Sequence, residues 1–234
     1  STRVRSSAAS DVYKRQASDK AALEVLFTRF CCPKGTETIV THGDITSDKN
    51  VSESNIINKV CRHIKDFASE RKLKQADIQQ VVHIIDTDGA FMPDVRITQD
   101  DSADGFVYSD TMIMARDISK VISRNARKRA NVEKLLCTHT MWGIQYSMYY
   151  MSCDLDHALY NKRGSDDLTK ERDAHAFAKK YMDDIPGFVK FIAESDFSVC
   201  EGYKESWNYI KQGENSLQRH TNLGLFFKEN PGDE

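Results

Sequence analysis

The sequence contains no apolar run close to the roughly 18 residues that a helix needs to cross a bilayer, and its mean hydropathy is -0.56. Proline and glycine are scarce, with 4 and 11 among 234 residues, which excludes collagen-like and low-complexity chains. Hydrophobic residues make up 40% of the chain, which is enough to exclude a wholly disordered protein. We therefore expect a folded protein that does not enter a membrane.

The usual cysteine, histidine and glycine motifs are also absent. None of the 6 cysteines forms a C-x-x-C pair, and the 7 histidines are scattered, so neither a zinc site nor a disulfide scaffold is indicated. There is no phosphate-binding G-x-x-x-x-G-K-[ST] loop, no G-x-S-x-G elbow and no H-E-x-x-H motif. A reduced, cytoplasmic protein is the simplest interpretation.

The sequence of residues 1–16 indicates an origin different from that of the remaining chain. SSAASDVYKRQ, residues 6–16, is the translation of a widely used transposase sequencing adapter. We expect residues 1–16 to be an artefact and the natural sequence to begin near Ala17; the alternative is a polar N-terminal tail. Without the four basic residues and the one acidic residue of this segment, the net charge of -2 becomes -5. Any nucleic-acid contact would therefore need a local basic patch.

The remaining pattern predicts strands alternating with helices. A β-branched run at 36–42, the apolar run VVHII at 81–85 and residues 144–151 are typical of strands. Apolar residues at helical spacing indicate helices at 52–71 and 118–136, and the chain from 167 onward is mostly helical. This alternation predicts an α/β fold, a mostly parallel sheet flanked by helices, with a helical C-terminal extension. Residues 94–105 are acidic and irregular, which favours a surface loop.

Asp86-x-Asp88 at the end of the 81–85 run is the sharpest candidate site. Ligands of open α/β sheets bind outside the carboxyl ends of the strands. Two carboxylates one residue apart there can hold Mg²⁺, which is then shared with substrate phosphates, and Gly89 lets the backbone turn away. The alternative is that Asp86 only caps a helix or turn and that Asp88-Gly89 is an ordinary turn.

The segment VVHIIDTDGA resembles the second signature of TOPRIM domains, which occur in topoisomerases, primases and defence nucleases. Their first signature is a strand ending in Glu-Gly, and the residues that follow it resemble ASDKAAL from Ala17 onward. The resemblance implies a TOPRIM-like, Rossmann-like domain over 17–160, which leaves the helical extension over 161–234. It also implies that the first strand and its essential Glu precede Ala17, so this chain by itself is expected to be inactive.

A second candidate group follows the strand at 144–151. It resembles a strand-to-helix segment of TOPRIM-like phage-defence proteins, in which a turn leads to an acidic residue. Asp154 or Asp156 could add a metal ligand there, and His157 could orient a water or a phosphate. The favoured alternative is a helix start capped by Ser152 or Asp154.

Basic residues cluster on the predicted helix 118–136. Lys120, Arg124, Arg127 and Lys128 lie within a few turns of one another and could neutralise phosphates without reading sequence. A solvated helix face is the competing and more common interpretation of such a run. The partner would be DNA or RNA.

These features together predict Mg²⁺-dependent (or Mn²⁺-dependent) phosphodiester chemistry on nucleic acid. Asp86 and Asp88 would be the catalytic metal ligands, and the resemblance implies a nuclease of bacterial or phage defence. The alternative is a non-catalytic module that keeps the fold and binds nucleic acid or a protein.

Overall fold

A computed structural model describes residues 17–31 and 44–230 of the chain. The helices are α1 (Ala17–Cys31), α2 (Ile56–Glu70), α3 (Ile118–Leu136), α4 (Leu155–Tyr160), α5 (Asp167–Tyr181), α6 (Ile185–Glu194), α7 (Tyr203–Ile210) and α8 (Gly224–Glu229). The strands are β1 (Gln80–Asp86), β2 (Ile97–Gln99), β3 (Phe106–Tyr108), β4 (Ile113–Ala115), β5 (Thr140–Met141), β6 (Ile144–Ser152) and β7 (His220–Thr221). The expected artefact at 1–16 and the expected strand at 36–42 lie outside the described residues.

The main sheet is built around β6. Strand β1 lies parallel to it along its whole length, from Gln80 beside Gln145 to Asp86 beside Met151. Strand β5 pairs antiparallel with the start of β6, and β7 pairs antiparallel with its end. The expectation of a mostly parallel sheet is therefore wrong, because the sheet is mixed. The two antiparallel strands have two residues each, too few for any alternation of apolar and polar residues to signal them.

A second, smaller sheet follows β1. In it β4 pairs in parallel with β2 and antiparallel with β3. Residues 94–105, expected to be an irregular loop, therefore include the three-residue strand β2. Strand β3 follows directly after this segment.

Both faces of β1 are covered, as its continuous apolar sequence predicts. Val81 and Ile85 pack in one core with the stripe of α2 that includes Ile56 and Val60. Val82 faces the opposite core, which contains residues of α1, α5, α6 and α8. The alternation along a strand divides these side chains between the two cores. Among the described residues, β1 pairs with β6 alone.

Residues beyond 161 are mainly helical, as expected, and they also complete the sheet. Thr221 of β7 pairs with Met151 of β6, and Phe226 of α8 packs on Tyr149 with ring centroids 6.1 Å apart. None of the described helices combines the length and the apolar character needed to span a bilayer.

Candidate acidic site at the carboxyl ends of two parallel strands

The carboxyl ends of β1 and β6 lie side by side and carry most of the predicted acidic residues. Beyond Asp86, the backbone continues its pairing with β6, since the Thr87 amide donates to the Met151 carbonyl at 2.9 Å and the Asp88 amide to the Cys153 carbonyl at 2.7 Å. This pairing places Asp86 and Asp88 at the same edge of the sheet as Asp154.

A sharp turn ends the pairing at Asp88. Asp88 and Gly89 both have left-handed backbone angles, with φ of 48° and 64°. The Gly89 amide donates to the Ser216 carbonyl at 3.1 Å. A Cβ at Gly89 would lie 2.4 Å from a methyl carbon of Leu217. Both its backbone angle and the close approach of the Leu217 side chain therefore favour glycine here.

The carboxylate of Asp88 is paired with two buried cations from α3. Its Oδ2 lies 2.5 Å from Nζ of Lys128 and 3.4 Å from Nη1 of Arg124. Arg124 also donates through Nη2 to the Asp88 carbonyl at 3.1 Å. The Lys128 side chain has no exposed surface. Asp88 is thus neutralised by the protein itself.

Lys128 also binds a second carboxylate, Asp44, at 2.8 Å. Asp44 accepts hydrogen bonds from the hydroxyls of Thr46 and Ser47. Burial acts to raise the pKa of Asp44, but the charge of Lys128 and these hydrogen bonds hold it well below its ordinary value. Burial acts to lower the pKa of Lys128, and the two carboxylates, Asp44 and Asp88, raise it above its ordinary value. Asp44 and Lys128 are therefore both charged at neutral pH.

The predicted basic stripe on α3 is divided between the interior and the surface. Arg124 and Lys128 are buried, so for these two the expected solvent-facing stripe is wrong. Arg124 lies against the rings of β3, 5.2 Å from that of Phe106. Arg127 is half-buried and donates to the Ser47 carbonyl at 3.1 Å. Lys120 is exposed. Arg124, Arg127 and Lys128 point toward the interior because the loops after Asp44 and Asp86 contain carboxylates and backbone carbonyls that need hydrogen-bond donors.

The second candidate group begins a helix, as the favoured alternative held. Asp154 caps α4, accepting from the His157 amide at 2.8 Å, and burial raises its pKa above the ordinary value. Asp156 is buried and pairs with Lys170 at 2.9 Å. Burial lowers the pKa of His157 to about 4. The Nδ1 atom of its neutral ring accepts a hydrogen bond from the Cys153 amide at 3.2 Å.

The Cys153 thiol lies among the acidic residues of this edge. Burial raises its pKa well above the ordinary value, and the charges of Asp88, Asp154 and Asp86 raise it further. The pairing of the two strand ends places the three carboxylates at one edge of the sheet. They do not converge: within 17–31 and 44–230, no three potential ligands are close enough together to form a metal cage.

The sequence carried a signal for the buried cations that the expectation of a surface stripe missed. Asn125, Lys128 and Arg124 fall on the same helical face as the buried Val121 and Val132. A polar residue on an apolar stripe is commonly buried and paired. Asp44 had no such signal, because its partner lies 84 positions further along the chain.

Comparisons with protein-family models, with curated proteins and with solved structures give no match to this chain. The TOPRIM resemblance accordingly rests on the sequence motifs alone.

Proposed function

We propose that this protein performs Mg²⁺-dependent (or Mn²⁺-dependent) phosphodiester chemistry on nucleic acid through a TOPRIM-like domain. The observation that carries the proposal is the shared position of Asp86, Asp88 and Asp154 at the carboxyl ends of two parallel strands, around one buried thiol. This is the edge where open α/β sheets bind their ligands.

The carboxylates of Asp86 and Asp154 fit Mg²⁺ although they form no closed cage. This ion is commonly held by one or two carboxylates, with waters and substrate phosphates completing its coordination. Asp88 would contribute through its remaining oxygen, since Lys128 and Arg124 contact Oδ2. Bound there, the cation would polarise a phosphoryl oxygen and stabilise the charge on the leaving oxygen.

The remaining predicted residues have supporting roles in this proposal. His157 is neutral at pH 7, and because its Nδ1 accepts from the Cys153 amide, its Nε2 would donate a hydrogen bond to a water or a substrate, whereas Asp156 is already paired with Lys170. Lys120 and Arg127 are the members of the basic set left to contact a DNA or RNA backbone. The resemblance implies a Glu preceding Ala17 that would serve as the general base or as a further metal ligand, and it favours a defence nuclease.

The second candidate is a non-catalytic binding module with the same fold. The observation that favours it is the neutralisation of Asp88 by Lys128 and Arg124. A fold that balances this carboxylate internally does not need a metal ion to hold the turn in place.

The test is a cleavage assay on the protein with the native codons ahead of Ala17 restored from its locus, because the essential Glu is expected there. We expect cleavage with Mg²⁺, none with EDTA, and a loss of at least about a hundredfold in Asp86→Asn. Asp104→Asn, at an exposed loop position, should cleave like the unmodified protein. Equal cleavage by Asp86→Asn would exclude this metal site, and no cleavage by the restored protein would favour the binding module.

A further inference from the structure

Lys128 occupies a position that resembles a cation site. Its ammonium lies between Asp44 Oδ2, at 2.8 Å, and Asp88 Oδ2, at 2.5 Å. The two carboxylates come from separate loops, and the ammonium that joins them has no exposed surface. Proteins also hold divalent ions in this way, between carboxylates that come from separate loops.

The charges around Lys128 are already balanced. Asp44 and Asp88 contribute two negative charges, and Lys128 with Arg124, 3.4 Å from Asp88, contributes two positive ones. A divalent ion entering between the carboxylates would have to displace the ammonium from both of them, which would leave it without a counter-ion among residues 17–31 and 44–230. Such an uncompensated buried charge is strongly unfavourable.

We propose that Lys128 is a built-in cation that takes the place of a divalent ion between Asp44 and Asp88, so that the protein binds at most one divalent ion at this edge. The inference that Lys128 replaces an ion depends only on its contacts with Asp44 and Asp88. Only the location of the single remaining ion, beside Asp86 and Asp154, rests on the proposed function.

The first measurement is the number of Mn²⁺ ions bound by the unmodified chain, from electron paramagnetic resonance and titration calorimetry. We expect one ion or none. Two ions at this edge, both lost in Asp88→Asn, would overturn the inference. A count of zero would contradict the proposed metal site while leaving the role of Lys128 intact, so the two failures are distinguishable.

The second measurement uses Lys128→Met, which shortens the unbranched side chain by one heavy atom and removes its charge. Without the ammonium, Asp44 and Asp88 lose their shared counter-ion, and we expect one additional Mn²⁺ ion to bind between them. At about a hundred times its Kd, Mn²⁺ should then raise the Tm by roughly 5–10 °C more than in the unmodified chain. The double variant Lys128→Met/Asp44→Asn removes one carboxylate as well and should lose the additional site.

The variant remains informative if it unfolds without metal. Refolding of Lys128→Met on addition of Mn²⁺, followed by circular dichroism, would support the inference. Failure to refold with Mn²⁺, or a folded Lys128→Met that binds no additional ion, would overturn it.

Discussion

At the scale of single residues, the end of β1 combines a left-handed backbone with buried charges. Asp88 and Gly89 turn the chain under the 216–217 segment, and Lys128 and Arg124 neutralise the Asp88 carboxylate. The conformation of this turn thus depends on the backbone angles as well as on the charge contacts. We therefore expect the loss of stability in a single-residue variant to follow from the contacts of that residue.

Replacing Gly89 with Ala should destabilise the protein more than replacing Gly105. Both glycines have positive φ, 64° and 83°, so each alanine costs about 1–2 kcal/mol in backbone strain. At Gly89 the new Cβ would also lie 2.4 Å from Leu217 Cδ2, whereas nothing lies within 4 Å at Gly105. Urea unfolding of the two variants measures the difference. Equal losses of stability would mean that Leu217 moves aside at little cost.

The buried His83 should make the protein less stable in mild acid. Burial lowers the pKa of its ring to about 4, against the opposing attraction of Asp44, while the unfolded chain has a pKa near 6.5. Between these values the unfolded state binds more protons, so stability falls as the pH drops from about 6.5 to 4, by roughly 3 kcal/mol at most.

Urea unfolding across that pH range tests this expectation. In His83→Gln the fall should be smaller, whereas His175→Gln, on an exposed part of α5, should behave like the unmodified chain. An unchanged pH dependence in His83→Gln would assign the effect to other groups.

At the scale of elements, α3 holds two loops in place. Arg129 donates to the Ala90 carbonyl at 3.0 Å in the loop after β1. Asn131 donates to the carbonyls of Thr46 and Val51, at 3.0 and 3.4 Å, in the loop that carries Asp44. The polar residues of this helix therefore act as internal donors to backbone groups that have left regular structure.

Two asparagines on α3 should respond in opposite ways to the same substitution. Asn131→Leu removes the donor for two carbonyls and should cost about 1–3 kcal/mol. Among the described residues, neither amide atom of the buried Asn125 has a hydrogen-bond partner, so Asn125→Leu should be neutral or stabilising. Thermal unfolding of the two variants provides the comparison. A large loss in Asn125→Leu would indicate a polar partner for this amide.

At the scale of the whole molecule, the N-terminal and C-terminal helices share one core. Phe226 of α8 lies 5.4 Å from Phe27 of α1 and 6.1 Å from Tyr149 of β6, measured between ring centroids. The sheet also gains a short strand from this region, β7, whose Thr221 pairs with β6. Residues far apart in sequence therefore contribute to the same packed interior.

Phe226→Ala should consequently weaken the entire fold. Phe226 is 2% exposed, and truncation of a buried phenylalanine costs about 3–5 kcal/mol. Leu168→Ala, at a residue 81% exposed, should change stability by less than about 0.5 kcal/mol. Unfolding followed by both circular dichroism and tryptophan fluorescence should give coincident transitions in each variant. Separate transitions for the two probes would show that α8 unfolds independently.

The sequence by itself determined the elements whose signals are local. The apolar run at 81–85, the helical spacing at 118–136 and the capping residue Asp154 each reflect interactions among residues close together in the chain. Asp86 and Asp88 were placed at a strand end for the same reason. Two-residue strands such as β5 and β7 form only because β6 is already present, and no local pattern indicates them.

Tertiary structure alone decided which groups the buried charges pair with. Lys128 lies on the same helical face as Val121 and Val132, which favours burial, but no local pattern identifies its partners. The interior is favoured because Asp44 and Asp88, 84 and 40 positions away, arrive beside the same turn of α3. The balance of a buried ammonium by two carboxylates is a property of the folded chain, since neither loop has a counter-ion until the other elements have packed.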